Sequence, residues 1–216
     1  MRLYNYFRSS ASFRVRIALG LKGLAYDYVP VHLPKSEQLQ VAFRAVAQTE
    51  LVPALVIGEG ADALTLTQSL AIIEYLDETH PEPRLLPSDP VGRARVRSLS
   101  LDIACEIHPL NNLRVLRYLV NDLGVSEEAK NNWYRHWVET GLAALERQLV
   151  DNPATGRFCH GGGPTMADCT LVPQIFNARR VDSRLDHVPT VMRIFDTCMT
   201  LPAFAEAEPS ACPDAE

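Results

Sequence analysis

Near its start the chain carries an arginine followed by serines, at Arg8, Ser9 and Ser10. They stand between an apolar run over residues 3–7, typical of a β-strand, and a stretch with the apolar spacing of a helix. Serine is a preferred helix N-cap because its side-chain oxygen accepts a hydrogen bond from an otherwise unpaired backbone N–H. A helix N-terminus also carries partial positive charge and favours a bound anion. The spacing is therefore typical both of an ordinary capped helix and of an anion or thiolate site.

The elements that would position these residues follow the order βαβ and then ββα. Aromatic and β-branched residues alternate over 24–33, which predicts a second strand, and Pro30 indicates that it lies at a sheet edge. Residues 37–46 read as a short polar helix or turn. Further strands are expected at 54–57 and 64–67, and Gln68-Ser69 opens a helix with Ser69 as its N-cap.

Prolines and helical patterns divide the rest of the chain. Four prolines within residues 81–90 exclude a continuous helix there. We therefore expect a first domain over 1–82, a linker over 83–90 and an all-helical domain over 91–216. Thr165 and Asp168 are spaced as in a capping box, which predicts that Asp168 supports folding rather than chemistry. Residues 208–216 read as a loose tail.

Composition excludes several classes of function. The chain has 216 residues, 47% of them apolar and 22% charged, with a formal net charge of −5 and no basic block that would indicate nucleic-acid binding. It contains neither an apolar run of about 18 residues, as a membrane span requires, nor a signal-peptide pattern. The five cysteines lack a CxxC pair, so we expect reduced thiols in a cytoplasmic protein and neither a disulfide framework nor a metal site.

Residues 9–19 read SSASFRVRIAL, and this segment resembles the signature of zeta-class glutathione transferases. That class usually has a cysteine as the third residue, where this chain has Ala11. The resemblance extends over nearly the whole chain. It implies an α/β thioredoxin-like N-terminal domain, an all-α C-terminal domain, glutathione as cofactor and assembly into a homodimer.

The resemblance also implies which residues hold glutathione. Ser9 is the serine credited with stabilising the thiolate, and Ser10 assists it. The remaining contacts belong to the peptide part of glutathione: Gln68 and Ser69 for the γ-glutamyl carboxylate, Val52 before a cis Pro53 for the cysteinyl backbone, Gln38 for the glycyl end, and His108 and Asn112 from the second domain. Taken singly, each is more typical of a helix cap, an edge strand or a polar surface residue. Their order on a thioredoxin-like pattern makes the set specific.

For the substrate, the resemblance implies a small dicarboxylate bound by Arg8 and Arg180. Maleylpyruvate isomerases have an additional substrate arginine where this chain has Leu113, with Arg114 one position later. Residues 46–50 also depart from the Asn-Pro that the family usually has before Val52. The first departure favours maleylacetoacetate over maleylpyruvate, and the second concerns only the conformation of the loop.

The activity implied is glutathione-dependent cis–trans isomerisation of maleylacetoacetate to fumarylacetoacetate, by reversible addition of a thiolate to the cis double bond. Because glutathione supplies the sulfur, Ala11 is compatible with this reaction. The alternatives are isomerisation of maleylpyruvate, general glutathione conjugation or α-haloacid dehalogenation, and glutathione binding without catalysis.

Overall fold

The computed structural model describes residues 1–216, with Ala61 described by its backbone alone. Contacts between residues divide the chain into two compact units. Unit 1 consists of Met1–Leu86 together with Met199–Glu216, and unit 2 consists of Pro87–Cys198. Among the described residues, no helix is long and apolar enough to cross a membrane.

Unit 1 is built on a four-stranded sheet in the order β2-β1-β3-β4. The strands are β1 (Arg2–Asn5), β2 (Asp27–Pro30), β3 (Ala54–Ile57) and β4 (Leu64–Thr67). β1 pairs with β2 in parallel and with β3 antiparallel, and β4 is antiparallel to β3. β2 is an edge strand, as Pro30 predicts. β1 and β2 are both shorter than the sequence indicates. Tyr6 and Phe7 already belong to the turn that follows β1.

Helices lie between and after these strands and form most of unit 2, and a last short helix belongs to unit 1. Their bounds are α1 (Ser10–Leu21), α2 (Val41–Arg44), α3 (Ser69–Thr79), α4 (Pro90–Leu101), α5 (Leu113–Asn121), α6 (Glu127–Leu149), α7 (Met166–Arg180), α8 (Pro189–Met199) and α9 (Pro202–Ala205). A π-helix, Asp102–Ile107, extends α4, and a 3₁₀ turn, His108–Asn111, follows it. The expected α/β domain followed by helices is confirmed.

Helix α1 is buried on nearly all sides. From the sequence pattern alone, Arg14 and Arg16 should lie away from the apolar side of the helix, yet each is only 2% exposed. The buried guanidinium of Arg16 donates to the carbonyl oxygens of Phe7 and Ala207, each at 3.0 Å. Hydrogen bonds to backbone oxygens thus compensate for burial of this charge.

The C-terminal residues also differ from expectation. The sequence analysis assigned residues 199–216 to the helical domain and described 208–216 as loose, but they pack within unit 1. A Cβ on Gly20 would lie 3.2 Å from the Cβ of Ala203, so glycine permits the close approach of α9 to α1. Asp214 accepts hydrogen bonds from the Tyr28 hydroxyl and the Phe7 N–H. The prediction of a loose tail is therefore wrong.

The start of α7, in unit 2, carries a buried carboxylate. Asp168 is fully buried and completes a capping box with Thr165, which confirms its structural role. Its carboxylate accepts from the Thr165 N–H at 2.7 Å, the Thr165 hydroxyl at 2.7 Å and the Cys159 N–H at 2.8 Å. Burial raises the pKa of Asp168, while these hydrogen bonds act in the opposite direction. All five cysteines are free thiols.

Candidate functional site

The predicted site residues of unit 1 meet at one edge of the sheet, which we call the loop edge. β1, β2 and β4 end there and β3 begins there, because β3 is antiparallel to its neighbours. Arg8 and Ser9 follow β1, Gln38 lies in the connection after β2, Val52 and Pro53 precede β3, and Gln68 and Ser69 follow β4. The topology therefore brings together segments that are up to about sixty positions apart in the sequence.

Ser9 is the N-cap of α1. Its side-chain oxygen accepts a hydrogen bond from the Ser12 N–H at 3.2 Å. Because the oxygen serves as acceptor, the Ser9 hydroxyl proton remains available to donate to another group. Ser10 is the first residue of α1 and is buried. A hydroxyl donor at a positive helix terminus can stabilise an anion or a thiolate.

Val52 and Pro53 are joined by a cis peptide bond, which confirms the expectation drawn from the resemblance. Val52 is 9% exposed and lies just before β3. Among the described residues, none forms a backbone hydrogen bond with Val52. Its N–H and C=O are thus available to pair with an extended peptide, in the manner of an added strand.

The start of α3 also has groups suited to an anion. The N-cap is Gln68, with φ +68° and ψ 114° and no side-chain capping bond, so the prediction of Ser69 as N-cap is wrong. A positive φ is sterically costly for a residue with a Cβ, and such strain is concentrated at functional sites. Ser69 is the first residue of the helix and is 5% exposed.

A residue that the sequence analysis did not select supports Ser69. The buried Arg14 guanidinium donates to the Ser69 Oγ at 3.3 Å. As at Ser9, an oxygen that accepts one hydrogen bond leaves its own proton free to donate. The signal in the sequence was the pair of arginines within an otherwise apolar helix, whose burial required polar partners.

Two further predicted residues belong to unit 1. Gln38 lies in the 3₁₀ turn Glu37–Leu39, and its buried Oε1 has no hydrogen-bond partner among the described residues. The exposed Arg8 guanidinium lies 5.0 Å from the centroid of the Phe7 ring. Arg8 forms no ion pair with any residue described in the structure, so its charge is available to a ligand.

In unit 2, His108 begins the 3₁₀ turn that follows the π-helix, and Asn112 comes directly after that turn. Both are partly buried. Short π-helices are frequent at functional sites. Asn112 is the N-cap of α5, and its Oδ1 accepts from the Arg114 N–H at 3.1 Å. Its amide nitrogen is the part that remains for a ligand.

Arg180 is the last residue of α7 and is exposed. Burial raises the pKa of Tyr134, and the charge of Arg180 acts in the opposite direction, which places the guanidinium within electrostatic range of that phenol. The neighbouring Arg179 is engaged differently, since its guanidinium lies 4.4 Å from the centroid of the Phe195 ring. Of the two arginines, Arg180 thus has the more available charge.

Comparisons with known proteins identify the family of this chain. Residues 3–84 match the family model of the glutathione S-transferase N-terminal domain, and residues 129–204 match that of the C-terminal domain. The probable maleylacetoacetate isomerase of Vibrio cholerae is 48% identical over 215 residues, which cover 99% of this chain and 97% of that protein.

Two solved structures are similar over their full lengths. One is a maleylpyruvate isomerase described as a bacterial glutathione S-transferase of the zeta class, with a TM-score of 0.95 and 46% identity, covering 100% of both chains. The other is a maleylacetoacetate isomerase from Methylobacterium extorquens AM1 with bound malonate and glutathione, with a TM-score of 0.95, 40% identity and the same coverage. This chain therefore belongs to the zeta class of the glutathione S-transferase family.

Proposed function

We propose that this chain is a glutathione-dependent isomerase that converts maleylacetoacetate to fumarylacetoacetate. One observation carries the proposal: Ser9 caps α1 through its oxygen and keeps a proton to donate. The chain that carries this serine is 48% identical to a probable maleylacetoacetate isomerase over 99% of its length. Glutathione is the cofactor, in keeping with the bound glutathione of the Methylobacterium relative.

The residues of the loop edge fit glutathione, which is an extended peptide with a thiol and two carboxylates. The free backbone groups of Val52 suit the cysteinyl amide, and the helix terminus at Gln68 and Ser69 suits the γ-glutamyl carboxylate. Gln38, with a buried amide oxygen that lacks a partner, suits the glycyl end. His108 and Asn112 are the contacts that we propose from unit 2.

When bound, glutathione supplies a thiolate that adds to the cis double bond, permits rotation about it and is then released. Ser9 favours the thiolate over the thiol, because its hydroxyl donates to the charged sulfur and α1 adds a positive helix terminus. Ser10 is the second hydroxyl that we assign to this task. The protein needs no thiol of its own here, in agreement with Ala11.

Arg8 and Arg180 bind the small dicarboxylate substrate in this proposal. A guanidinium forms paired hydrogen bonds with a carboxylate and also stabilises negative charge that develops on a neighbouring carbonyl oxygen. The support is that neither guanidinium pairs with a carboxylate of the described residues. Malonate, itself a dicarboxylate, is bound in the Methylobacterium relative.

Maleylpyruvate is the second candidate substrate, favoured by the similarity to a maleylpyruvate isomerase with 46% identity. Against it, Leu113 occupies the position where the resemblance implies an arginine, with Arg114 one position later. The deciding experiment measures kcat/KM on both substrates with glutathione at saturation. We expect the larger value for maleylacetoacetate, and a larger value for maleylpyruvate would transfer the assignment to that reaction.

Adjacent arginines provide a matched test of the substrate contact. We expect Arg180→Ala to raise KM for maleylacetoacetate roughly tenfold or more, because the substrate loses one charged hydrogen-bond donor. The Kd of glutathione should be unchanged. Arg179→Ala removes an equal charge one position earlier and should leave KM within about twofold, as is usual for an exposed charge. Equal KM values for the two variants would remove Arg180 from the substrate site.

For the cofactor, Ser69→Ala should raise the Kd of glutathione roughly tenfold, because the γ-glutamyl carboxylate loses a hydroxyl donor. Ser69→Thr keeps the hydroxyl and should bind more tightly than Ser69→Ala. Isothermal titration calorimetry measures both values without turnover. A wild-type Kd for Ser69→Ala would exclude the contact.

We further propose a cytoplasmic homodimer, on the family resemblance. Sedimentation equilibrium measures the assembly state directly, and a monomer at micromolar concentration would contradict this part of the proposal.

A further inference from the structure

The C-terminal segment, residues 207–214, is joined by hydrogen bonds to the turn that carries Arg8 and Ser9. The buried Arg16 forms the first link, since its Nε donates to the Ala207 carbonyl and its Nη2 to the Phe7 carbonyl, each at 3.0 Å. Its Nη1 donates to the Asn5 Oδ1 at 3.0 Å. One guanidinium therefore connects the end of the chain to the end of β1.

Asp214 forms the second link. Its Oδ2 accepts from the Phe7 N–H at 3.3 Å, and its Oδ1 accepts from the Tyr28 hydroxyl on β2. Burial and this hydrogen bond both raise the pKa of Tyr28, so the phenol remains a proton donor. Phe7 is thus held at its carbonyl by Arg16 and at its N–H by Asp214, immediately before Arg8.

Packing forms the third link. Cys212 is 8% exposed and belongs to a cluster of buried side chains. The cluster also includes residues just before Arg8, residues in and near α2, and the residue before the cis proline. Its members are Tyr6, Phe7, Val31, Phe43, Ala47, Val52, Ala54 and Cys212. The chain end therefore packs against the supports of two loop-edge segments.

We propose that residues 207–214 are an integral part of the glutathione site of unit 1, and that Asp214 is a positioning residue for the turn carrying Arg8 and Ser9. This inference rests on the proposed function for the identity of the ligand. Asp214 acts through Phe7 and does not touch the cofactor. The backbone N–H of Phe7 would otherwise lose a partner, and the turn would gain freedom that glutathione binding must then remove.

The test measures glutathione binding by calorimetry in the full-length protein, with hydrogen–deuterium exchange of residues 6–12 as a second readout. Asp214→Ala should raise the Kd of glutathione roughly three- to tenfold, because the turn loses one hydrogen bond that holds it. It should also accelerate exchange in that segment. Asp214→Glu keeps the charge but displaces the carboxylate, and should also weaken binding. Glu216→Ala removes a carboxylate from the same chain end that is 60% exposed and pairs with His32 instead of Phe7, and it should do neither.

The outcomes separate this inference from the proposed function. If the wild-type protein fails to bind glutathione, the proposed function is wrong. If it binds and a folded Asp214→Ala or Asp214→Glu variant binds with the wild-type Kd, the positioning role is overturned. Asp214→Glu serves as the deciding variant if Asp214→Ala does not fold, because it retains a carboxylate at position 214.

Discussion

Replacing Ser9 with aspartate should abolish most activity and preserve the fold. Aspartate caps a helix as well as serine does, because its oxygen accepts the same Ser12 N–H, and its charge is favourable at a helix N-terminus. It has no proton to donate at neutral pH, however, and a carboxylate beside the sulfur disfavours the thiolate. We expect kcat/KM to fall roughly 10- to 150-fold or more, which is the value of a hydrogen bond to a charged group.

The same variant should raise the pKa of the bound glutathione thiol by about one to two units. The ultraviolet absorbance of the thiolate as a function of pH measures this shift without turnover. Ser9→Ala should show the same loss of activity, and because it also removes the helix cap it should lose about 1 kcal/mol of stability. Ser9→Thr should retain both the activity and the cap. Wild-type activity in Ser9→Asp would show that the hydroxyl proton of Ser9 has no part in the reaction.

The largest effect on stability is expected for Asp168→Ala. The substitution leaves the buried N–H groups of Cys159 and Thr165 without an acceptor, and each such group costs about 1–3 kcal/mol. Together with the lost cap we expect the free energy of unfolding of unit 2 to fall by roughly 4 kcal/mol. That is a large share of the roughly 5–15 kcal/mol typical of a domain.

Urea denaturation followed by tryptophan fluorescence measures this loss, since both tryptophans belong to α6 in unit 2. Asp196→Ala, an exposed aspartate on α8, is the matched control and should lie within about 0.5 kcal/mol of the wild type. A similar midpoint for both variants would contradict the structural role of the capping box.

Patterns in neighbouring residues predicted two of the strands and two of the helix caps correctly. β3 and β4 have the expected bounds, because a proline or a turn residue marks their ends and the apolar residues fit a strand. Thr165 caps α7, as its spacing from Asp168 indicates, and the serine Ser126 caps α6. The cis bond before Pro53 came from the family resemblance, since no local pattern distinguishes it from a trans proline at a strand edge.

Long-range contacts explain what the sequence did not predict. Arg16 reaches a carbonyl 191 positions away, and Asp214 reaches an N–H 207 positions away, so neither partner has a signal in the neighbouring residues. Arg14 supports Ser69 from another helix for the same reason. Ser69 was mistaken for the N-cap because serine is the better capping residue, while the backbone places Gln68 there at a positive φ.

The most direct test of the central claim is to follow maleylacetoacetate with purified protein, with and without a limiting amount of glutathione. We predict negligible conversion without glutathione, and many equivalents of fumarylacetoacetate formed per equivalent of glutathione added, because the cofactor is released in each turnover. Conversion at an equal rate without glutathione would contradict the account. So would product formation that stops at one equivalent, which is the behaviour of a conjugating transferase.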